Sequence, residues 1–366
     1  MTKSCSLKSK QKVFLLNQSK AASCCKSYHE QFDSNLDDLL EKWNKESVDL
    51  DLGIEVPSCE VCWTDEHRGK QSMRQELSHL NIEHRIELSI SNLCNHMCGY
   101  CSPKFSSMWE QSIVEHGEFT KVSRSALNNL AVVSQQSDIE NKFDQVVDHI
   151  NSYSNNQIVL CLLGGEPLMQ HHSLEKIFSI DPAKIKQLVF NTNLNPPSNK
   201  FLLRLIEQFP VDKLLLHVSI DATPEFNHVP RHGFDSNRFL SNLEILKHHN
   251  VAFDFMPVAS VLSVFDLHNF LTWCKRIQVT CEIQALNNPN ALQIRHIPLE
   301  IRQELLSELH TLPEHLVWEL SCPSSSKIEQ FEQYQYLKQY FDRTNPDLTH
   351  NPGFDRWWKR MLHEYR

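Results

Sequence analysis

Hydrophobic and polar positions follow two regimes along this chain, one before and one after about residue 83. In the first, Gln11-Lys12-Val13-Phe14-Leu15-Leu16 followed by Asn17-Gln18-Ser19 predicts a strand and a turn, with Lys20 to Cys24 returning. Leu36, Leu39, Leu40 and Trp43 recur at helical spacing between Asp33 and Asn44. Pro57-Ser58 marks a turn, and a polar stretch then runs to Glu83, where a domain boundary is expected. From Arg85, short strand-like runs alternate with amphipathic ones. Strands are expected at 85–91, 158–164, 186–192, 213–221, 251–260 and 279–286, and helices at 238–249 and 265–276. Repeated βα units predict a parallel sheet with right-handed crossovers. Six units fall short of a closed eight-stranded barrel. The expected fold is therefore α/β, a partial (β/α)6 TIM-like barrel with its active face at the C-terminal strand ends. Ile301, Leu305, Leu306 and Leu309 keep core spacing in a helical C-terminal extension. The expected domains are 1–83, 84–295 and 296–366. The aromatic stripe of the extension, with Trp357 and Trp358, predicts docking on the barrel; a lid or partner-binding element is the sharper alternative.

Alternation along the strands gives each one a face. Glu87, Ser89 and Ser91 oppose Ile86, Leu88 and Ile90, while His217, Ser219 and Asp221 oppose Leu216, Val218 and Ile220. Glu282 and Gln284 likewise oppose Cys281, Ile283 and Ala285. A packed barrel interior is filled by Val, Ile and Leu. Polar inner faces here predict a ligand-filled lumen. Glu87, His217, Asp254 and Glu282 become candidates for substrate contact or proton transfer, each with the plainer reading of a hydrogen-bonded inner-face residue.

Charge narrows the partners. Thirty-six basic against 45 acidic residues give −9, a poor balance for tracking nucleic-acid phosphates. Only eight glycines argue against a glycine-rich nucleotide loop. The longest early apolar run, residues 13–16, is too short for a signal core or a membrane span. A cytoplasmic protein with no membrane or nucleic-acid partner is expected. In that setting twelve cysteines point to metal or redox chemistry, and eight of them lie in the first 101 residues.

The most specific feature is Asn92-Leu93-Cys94-Asn95-His96-Met97-Cys98-Gly99-Tyr100-Cys101, just after the strand at 85–91. Three thiolates on one tight loop can hold three irons of a cubane and leave the fourth open to a substrate or cosubstrate. His96 offers the alternative of a zinc site with three thiolates and one imidazole.

This loop resembles the hallmark of the radical S-adenosylmethionine (radical SAM) superfamily, C-x3-C-x-aromatic-C after the first strand of a partial (β/α)6 barrel. The resemblance implies that Cys94, Cys98 and Cys101 ligate a 4Fe–4S cluster, with Tyr100 beside the adenine. It also implies that the open iron takes the amino and carboxylate groups of S-adenosylmethionine. One electron then cleaves the C5′–S bond, giving methionine and a 5′-deoxyadenosyl radical that abstracts hydrogen from substrate. Later strand ends fit the same family. Gly164-Gly165-Glu166 resembles the GGE motif that meets the methionine amino group, and Asn193 the position beside the cofactor. Ser219 and Asp221 resemble the ribose contacts, and Arg231 an arginine that pairs with the methionine carboxylate. The resemblance covers about residues 85–290.

Cys59-x2-Cys62 needs two further ligands, and Cys5 with Cys24 or Cys25 supplies them; zinc and iron–sulfur both suit four thiolates. The order Cys5, strand, turn, strand, Cys24 resembles the cysteine hairpin of SPASM/twitch auxiliary-cluster domains. Cys59-x2-Cys62-Trp63, with Glu66, Gly69, Ser72 and Arg74, resembles the C-x2-C-W-x2-E-x2-G-x2-S-x-R of enzymes carrying a twitch domain, here in the N-terminal arrangement. Two departures stand out: Asn-Gln-Ser replaces the usual Asp-Gly turn, and Cys24 is followed by a second cysteine. The resemblance implies a second, auxiliary 4Fe–4S cluster on Cys5, Cys24, Cys59 and Cys62 that relays electrons. A reducing partner such as flavodoxin or ferredoxin, and a peptide or protein substrate, go with it. A carbohydrate, nucleotide or other small metabolite is the alternative substrate, and a zinc-stabilised non-catalytic barrel is the rival from another class.

Overall fold

The computed structural model describes residues 4–32, 35–77, 82–123, 138–309, 312–323 and 325–365. Among them the strands, in chain order, are β1 (Gln11–Leu15), β2 (Lys20–Ala22), β3 (Glu30–Gln31), β4 (His84–Ser89), β5 (Met97–Cys98), β6 (Ile158–Leu163), β7 (Ile185–Thr192), β8 (Leu214–Val218), β9 (Arg231–His232), β10 (Ala252–Phe255), β11 (Val258–Ala259) and β12 (Gln284–Ala285). Two compact units divide the chain, and each interleaves several segments. The fold is α/β with a mostly parallel sheet.

The first unit comprises Met1–Asn92, Ser134–Asn191 and Lys200–Leu215. Its sheet runs β7, β6, β4, β1 in parallel and finishes with β2 and β3 antiparallel. The expected N-terminal hairpin forms, and its first strand pairs residue for residue with β4, Val13 opposite Glu87. Residue 83 therefore lies inside this unit. The tight turn at Leu16–Gln18 places Ser19 in the left-handed region, φ 48°. That is an uncommon conformation for a residue with a Cβ. The buried Lys142 ammonium anchors it by donating to Ser19 Oγ at 2.7 Å. The helix Leu36–Asp51 is N-capped by Asn35, whose side chain accepts from Asp37 N–H at 3.0 Å. Asp33, where the periodicity puts its start, lies outside the described residues. Trp43 turns inward from this helix and meets Phe14, ring centroids 6.3 Å apart. Side chains of this size contribute roughly 1.5–3 kcal/mol each when fully buried.

The second unit comprises Leu93–Val133, Thr192–Asn199 and Leu216–Arg366. The expected strand at 251–260 is split: β10 ends at Phe255 and β11 begins at Val258. Pro257 sits between them without an N–H to give a ladder, and its carbonyl accepts from Gln284 N–H at 2.9 Å. The expected strand at 279–286 shrinks to a bridge at Cys281 and to β12. Helices Ser236–His248 and Leu267–Arg276 cover this region, with Trp273 stacked on Phe255 at 5.4 Å. The C-terminal extension is helical, at Leu299–Glu308, Glu314–Ser321, Lys327–Thr344 and Pro352–Glu364. A capping box between Ser326 and Glu329 starts the third, and Asn345 in the left-handed region ends it. No helix among the described residues is long and apolar enough to cross a membrane.

Candidate metal centres

Cys94, Cys98 and Cys101 lie in the second unit on a loop pinned by antiparallel pairing of β5 with β9. Its main-chain acceptors are met by side chains from elsewhere. Ser107 donates to Cys94 O (3.1 Å), Ser106 to His96 O (2.6 Å) and Trp109 Nε1 to Cys98 O (2.8 Å). Two buried tyrosines of the helix Lys327–Thr344 complete the set: Tyr340 donates to Met97 O at 2.9 Å and Tyr336 to Gly99 O at 2.8 Å. Gly99 lets the loop pack closely, since a Cβ there would sit 2.4 Å from Leu262 Cδ1 and push that side chain aside. With these carbonyls engaged, sulfur is what the loop offers a metal. Burial pushes the Cys98 thiol up to about 12 and the Cys101 thiol up to about 11. A thiolate in such surroundings needs a cation beside it, which iron supplies, so the donor set fits a cluster. His96 is buried, its Nε2 lies 3.5 Å from Asn195 Oδ1, and burial lowers its pKa to about 3. Among the described residues no three His, Cys, Asp or Glu side chains converge on a single-ion site. Cubane ligands each address a different iron and need not converge on one point.

Beside the loop is a closed polar knot. Asp221 takes Arg231 bidentately, Nε to Oδ2 at 2.8 Å and Nη2 to Oδ1 at 3.0 Å. Tyr100 Oη donates to Asp221 Oδ2 at 2.8 Å and itself accepts from Arg231 Nη2. Val258 N–H fills the remaining position on Oδ1 at 2.9 Å. Four donors saturate a carboxylate, so in this state Asp221 has no acceptor left for a ribose hydroxyl. Arg231 Nη1 points elsewhere, to Cys98 Sγ at 3.7 Å.

Asn193 is also in the second unit, where Asn95 Oδ1 accepts from its Nδ2 at 3.0 Å and its Oδ1 accepts from Asn195 N–H at 2.8 Å. Ser219 is half-buried, and its N–H donates to Thr192 O at 2.8 Å. His217 Nδ1 lies 2.7 Å from Asp254 Oδ1, so these two form a dyad. Glu282 is exposed and accepts from Gln284 Nε2 at 2.8 Å. The remaining candidates belong to the first unit. Glu87 accepts from Gln11 Nε2 (2.8 Å) and Arg85 Nε (2.9 Å). Gly164 and Gly165 both have positive φ, and a Cβ at Gly164 would fall 1.8 Å from Ser89 Oγ. Gln170 Nε2 braces this turn through Gly164 O at 2.9 Å and Ser91 O at 3.3 Å. Buried Glu166 accepts from Leu168 N–H at 3.0 Å. Tyr336, Tyr340, Asn195 and Gln170 carry no motif in the sequence; the aromatic stripe at 327–344 is the available sign of the tyrosines.

In the first unit Cys5, Cys24, Cys59 and Cys62 line one pocket together with Lys8, Lys26 and Arg74. Cys25 is exposed and does not line it. Burial raises the thiols of Cys5, Cys59 (to about 11) and Cys62, and main-chain N–H groups aimed at sulfur oppose it at Cys5 and Cys62. Lys26 N–H reaches Cys24 Sγ at 3.4 Å. Buried thiols with amide donors on their sulfurs suit an iron–sulfur group. The Trp-Glu-Gly-Ser-Arg pattern closes the wall behind them. Glu66 takes Arg74 at 3.0 and 2.6 Å and Ser72 Oγ at 2.5 Å, while the Arg74 guanidinium lies 4.8 Å from the Trp63 ring centre.

The family model described as the Radical SAM superfamily matches residues 88–274, just over half of the chain. The radical SAM cyclopropyl synthase TigE of Paramaledivibacter caminithermalis is 26% identical over 195 residues, 50% of this chain and 37% of that protein. The chain thus spans little more than a third of that curated relative. Among solved structures, native anSMEcpe with bound AdoMet is 16% identical, with a TM-score of 0.40 over 55% of this chain and 50% of that one. Streptococcus suis SuiB bound to S-adenosylmethionine is 12% identical, with a TM-score of 0.39 over 75% of this chain and 57% of that one.

Proposed function

The chain belongs to the radical SAM superfamily, and from that premise we propose an enzyme with two iron–sulfur clusters, one generating the radical and one receiving an electron from the substrate. Membership implies a 4Fe–4S cluster and S-adenosylmethionine, and Cys94, Cys98 and Cys101 are the residues that would hold the cluster. When bound, it supplies the electron that cleaves the C5′–S bond of the cosubstrate. The chain's own part is to hold that loop still and dry: its carbonyls are tied to buried Tyr336, Tyr340 and Trp109, and Cys98 is withdrawn from water. Contacts to S-adenosylmethionine are proposed for Tyr100, Asn193 and Ser219, in the same unit as the cysteine loop.

One observation carries the second cluster: four cysteines drawn from three stretches of sequence line a single pocket, walled by the Glu66–Arg74 pair. Four protein thiolates leave no iron open, so the role assigned is electron transfer. Net oxidation of the substrate follows, as in ring closure or cross-linking, where joining two C–H carbons removes two hydrogens. The similarity to TigE, a cyclopropyl synthase by name, supports the reading. A peptide or protein substrate is proposed from the twitch-like cysteine pattern. The partial (β/α)6 barrel and a flavodoxin- or ferredoxin-type reductant complete the proposal.

The test is iron and sulfide content after anaerobic reconstitution, in wild type and in the Cys94→Ala/Cys98→Ala/Cys101→Ala variant. About eight irons falling to about four is the expected result. About four falling to none would remove the N-terminal cluster. Zinc in place of iron at both sites would remove radical chemistry.

A further inference from the structure

Arg231 is bound to Cys98 twice over. Their main chains face each other across the β5–β9 ladder, and Gly99 N–H donates to Pro230 O at 2.9 Å, so the arginine's backbone cannot drift from the loop. The side chain then returns to the same cysteine through Nη1 and Sγ at 3.7 Å. Its other donors go to Asp221 and Tyr100, a brace in which Asp221 is fully buried and Arg231 only 7% exposed. Asp221 is held from behind as well, since Asn227 Oδ1 accepts from its N–H at 2.9 Å.

Such a guanidinium is poorly placed to recruit a free carboxylate. Its charge is already matched by a buried, bidentate aspartate, and a second anion would have to displace paired bonds that are shielded from water. What remains directed outward is a charged N–H on the Cys98 sulfur, which would be a thiolate once it holds a cluster. Reduction of a thiolate-ligated cluster adds negative charge to its sulfurs. A cationic donor on one of them in a dry site favours the reduced state, and therefore raises the midpoint potential.

We propose that Arg231, oriented by Asp221 and Tyr100, is a positioning and tuning residue for the loop cluster, acting through Cys98 Sγ rather than on the carboxylate of S-adenosylmethionine. The proposal rests on the cluster that family membership brings to this loop. It does not depend on the N-terminal pocket or on the substrate. Arginine is specifically required because its planar fork satisfies Asp221 with one edge and leaves Nη1 for sulfur, which an ammonium cannot do from one position.

The experiment uses the reconstituted full chain without S-adenosylmethionine. EPR-monitored redox titration gives the midpoint potential of the loop cluster in wild type, Arg231→Lys and the charge-neutral Arg231→Gln/Asp221→Asn pair, and calorimetry gives their affinity for S-adenosylmethionine. Both variants are expected to titrate at more negative potential with altered g-values, while affinity changes by less than the tenfold or more that losing a charged hydrogen bond to the ligand entails. Affinity lost by that factor with the potential unmoved would return Arg231 to the carboxylate, and neither quantity moving would leave it a structural brace; either result overturns the proposal. Should the variants fail to hold iron, wild-type protein grown with 15N-arginine decides: hyperfine coupling of the reduced cluster to arginine nitrogen is expected, and its absence overturns the assignment.

Discussion

The two cysteine sites are built in opposite ways. The loop in the second unit is contiguous, its cysteines contained in eight residues from Cys94 to Cys101. Yet it is held by groups far along the chain, Tyr336 and Tyr340 on Gly99 and Met97 and Arg231 on Cys98. The pocket in the first unit gathers cysteines from Cys5 to Cys62, but its closure is local, through Trp63, Glu66, Ser72 and Arg74 within one short helix-turn-helix stretch. A site that is compact in sequence has borrowed its rigidity, and one that is dispersed has encoded its own. The loop is therefore open to disruption from the C-terminal extension, and the pocket from its immediate neighbours.

The largest expected effect is at the cysteines themselves. Replacing Cys94, Cys98 and Cys101 together is expected to abolish formation of 5′-deoxyadenosine, measured by chromatography after dithionite reduction. Cys59→Ala or Cys62→Ala is expected to spare that uncoupled cleavage while blocking product. A Cys59→Ala enzyme that made product at the normal rate would end the distinction between the two sites.

Next in size is Arg74→Ala. It strips the half-buried Glu66 carboxylate of its bidentate partner, a change of about 1.5–3 kcal/mol. Chemical denaturation should show that loss, and iron analysis should show the pocket's share gone with the loop's retained. The mirror experiment is Tyr340→Phe, which leaves Met97 O without its buried hydroxyl for about 1–3 kcal/mol. Here the loop's iron should become labile to chelator while the pocket's does not. Equal lability at both sites in either variant would mean that the two are not separately supported.

Much of the fold is legible in the amino-acid sequence. The strands at 158–164 and 186–192 form close to their expected limits, because alternating or continuous apolar runs bounded by turns report burial directly, while that at 213–221 is shortened to Leu214–Val218. The N-terminal hairpin is legible for the same reason, although its Asn-Gln-Ser turn works by a means no turn rule gives, a left-handed Ser19 fastened by Lys142. Hidden from sequence are the partners of polar groups. Asp221 and Arg231, ten residues apart at a strand end, read as two ligand contacts and turn out to hold each other. Nothing local announces a buried ion pair, since either side chain at a strand end suits a ligand equally well. Tyr336 and Tyr340 are visible only as part of an aromatic stripe, because a hydroxyl that caps a carbonyl more than two hundred residues away leaves no periodicity behind.

The smallest expected effect separates the units by acid. His149, on the helix Ile139–Ser152 of the first unit, is held neutral with its pKa lowered to about 4, chiefly by burial and then by the charge of Lys12. An unfolded histidine titrates near 6.5. Between those values the unfolded chain binds a proton that the folded chain refuses, so stability rises with pH through this window. The contribution is complete above about 6.5 and is lost as the pH falls toward about 4. From pH 7 to pH 5.5 this amounts to about 1 kcal/mol, read as a shift in urea midpoint. His149→Gln, which cannot titrate, should lose correspondingly less over the same interval. The second unit has its own buried neutral histidine in His96, at about 3, which the substitution leaves in place. Acid sensitivity of the cluster loop should therefore persist in His149→Gln while that of the first unit is relieved. If the variant instead tracked wild type at both pH values, the buried neutral state of His149 would be excluded as a source of the first unit's acid lability.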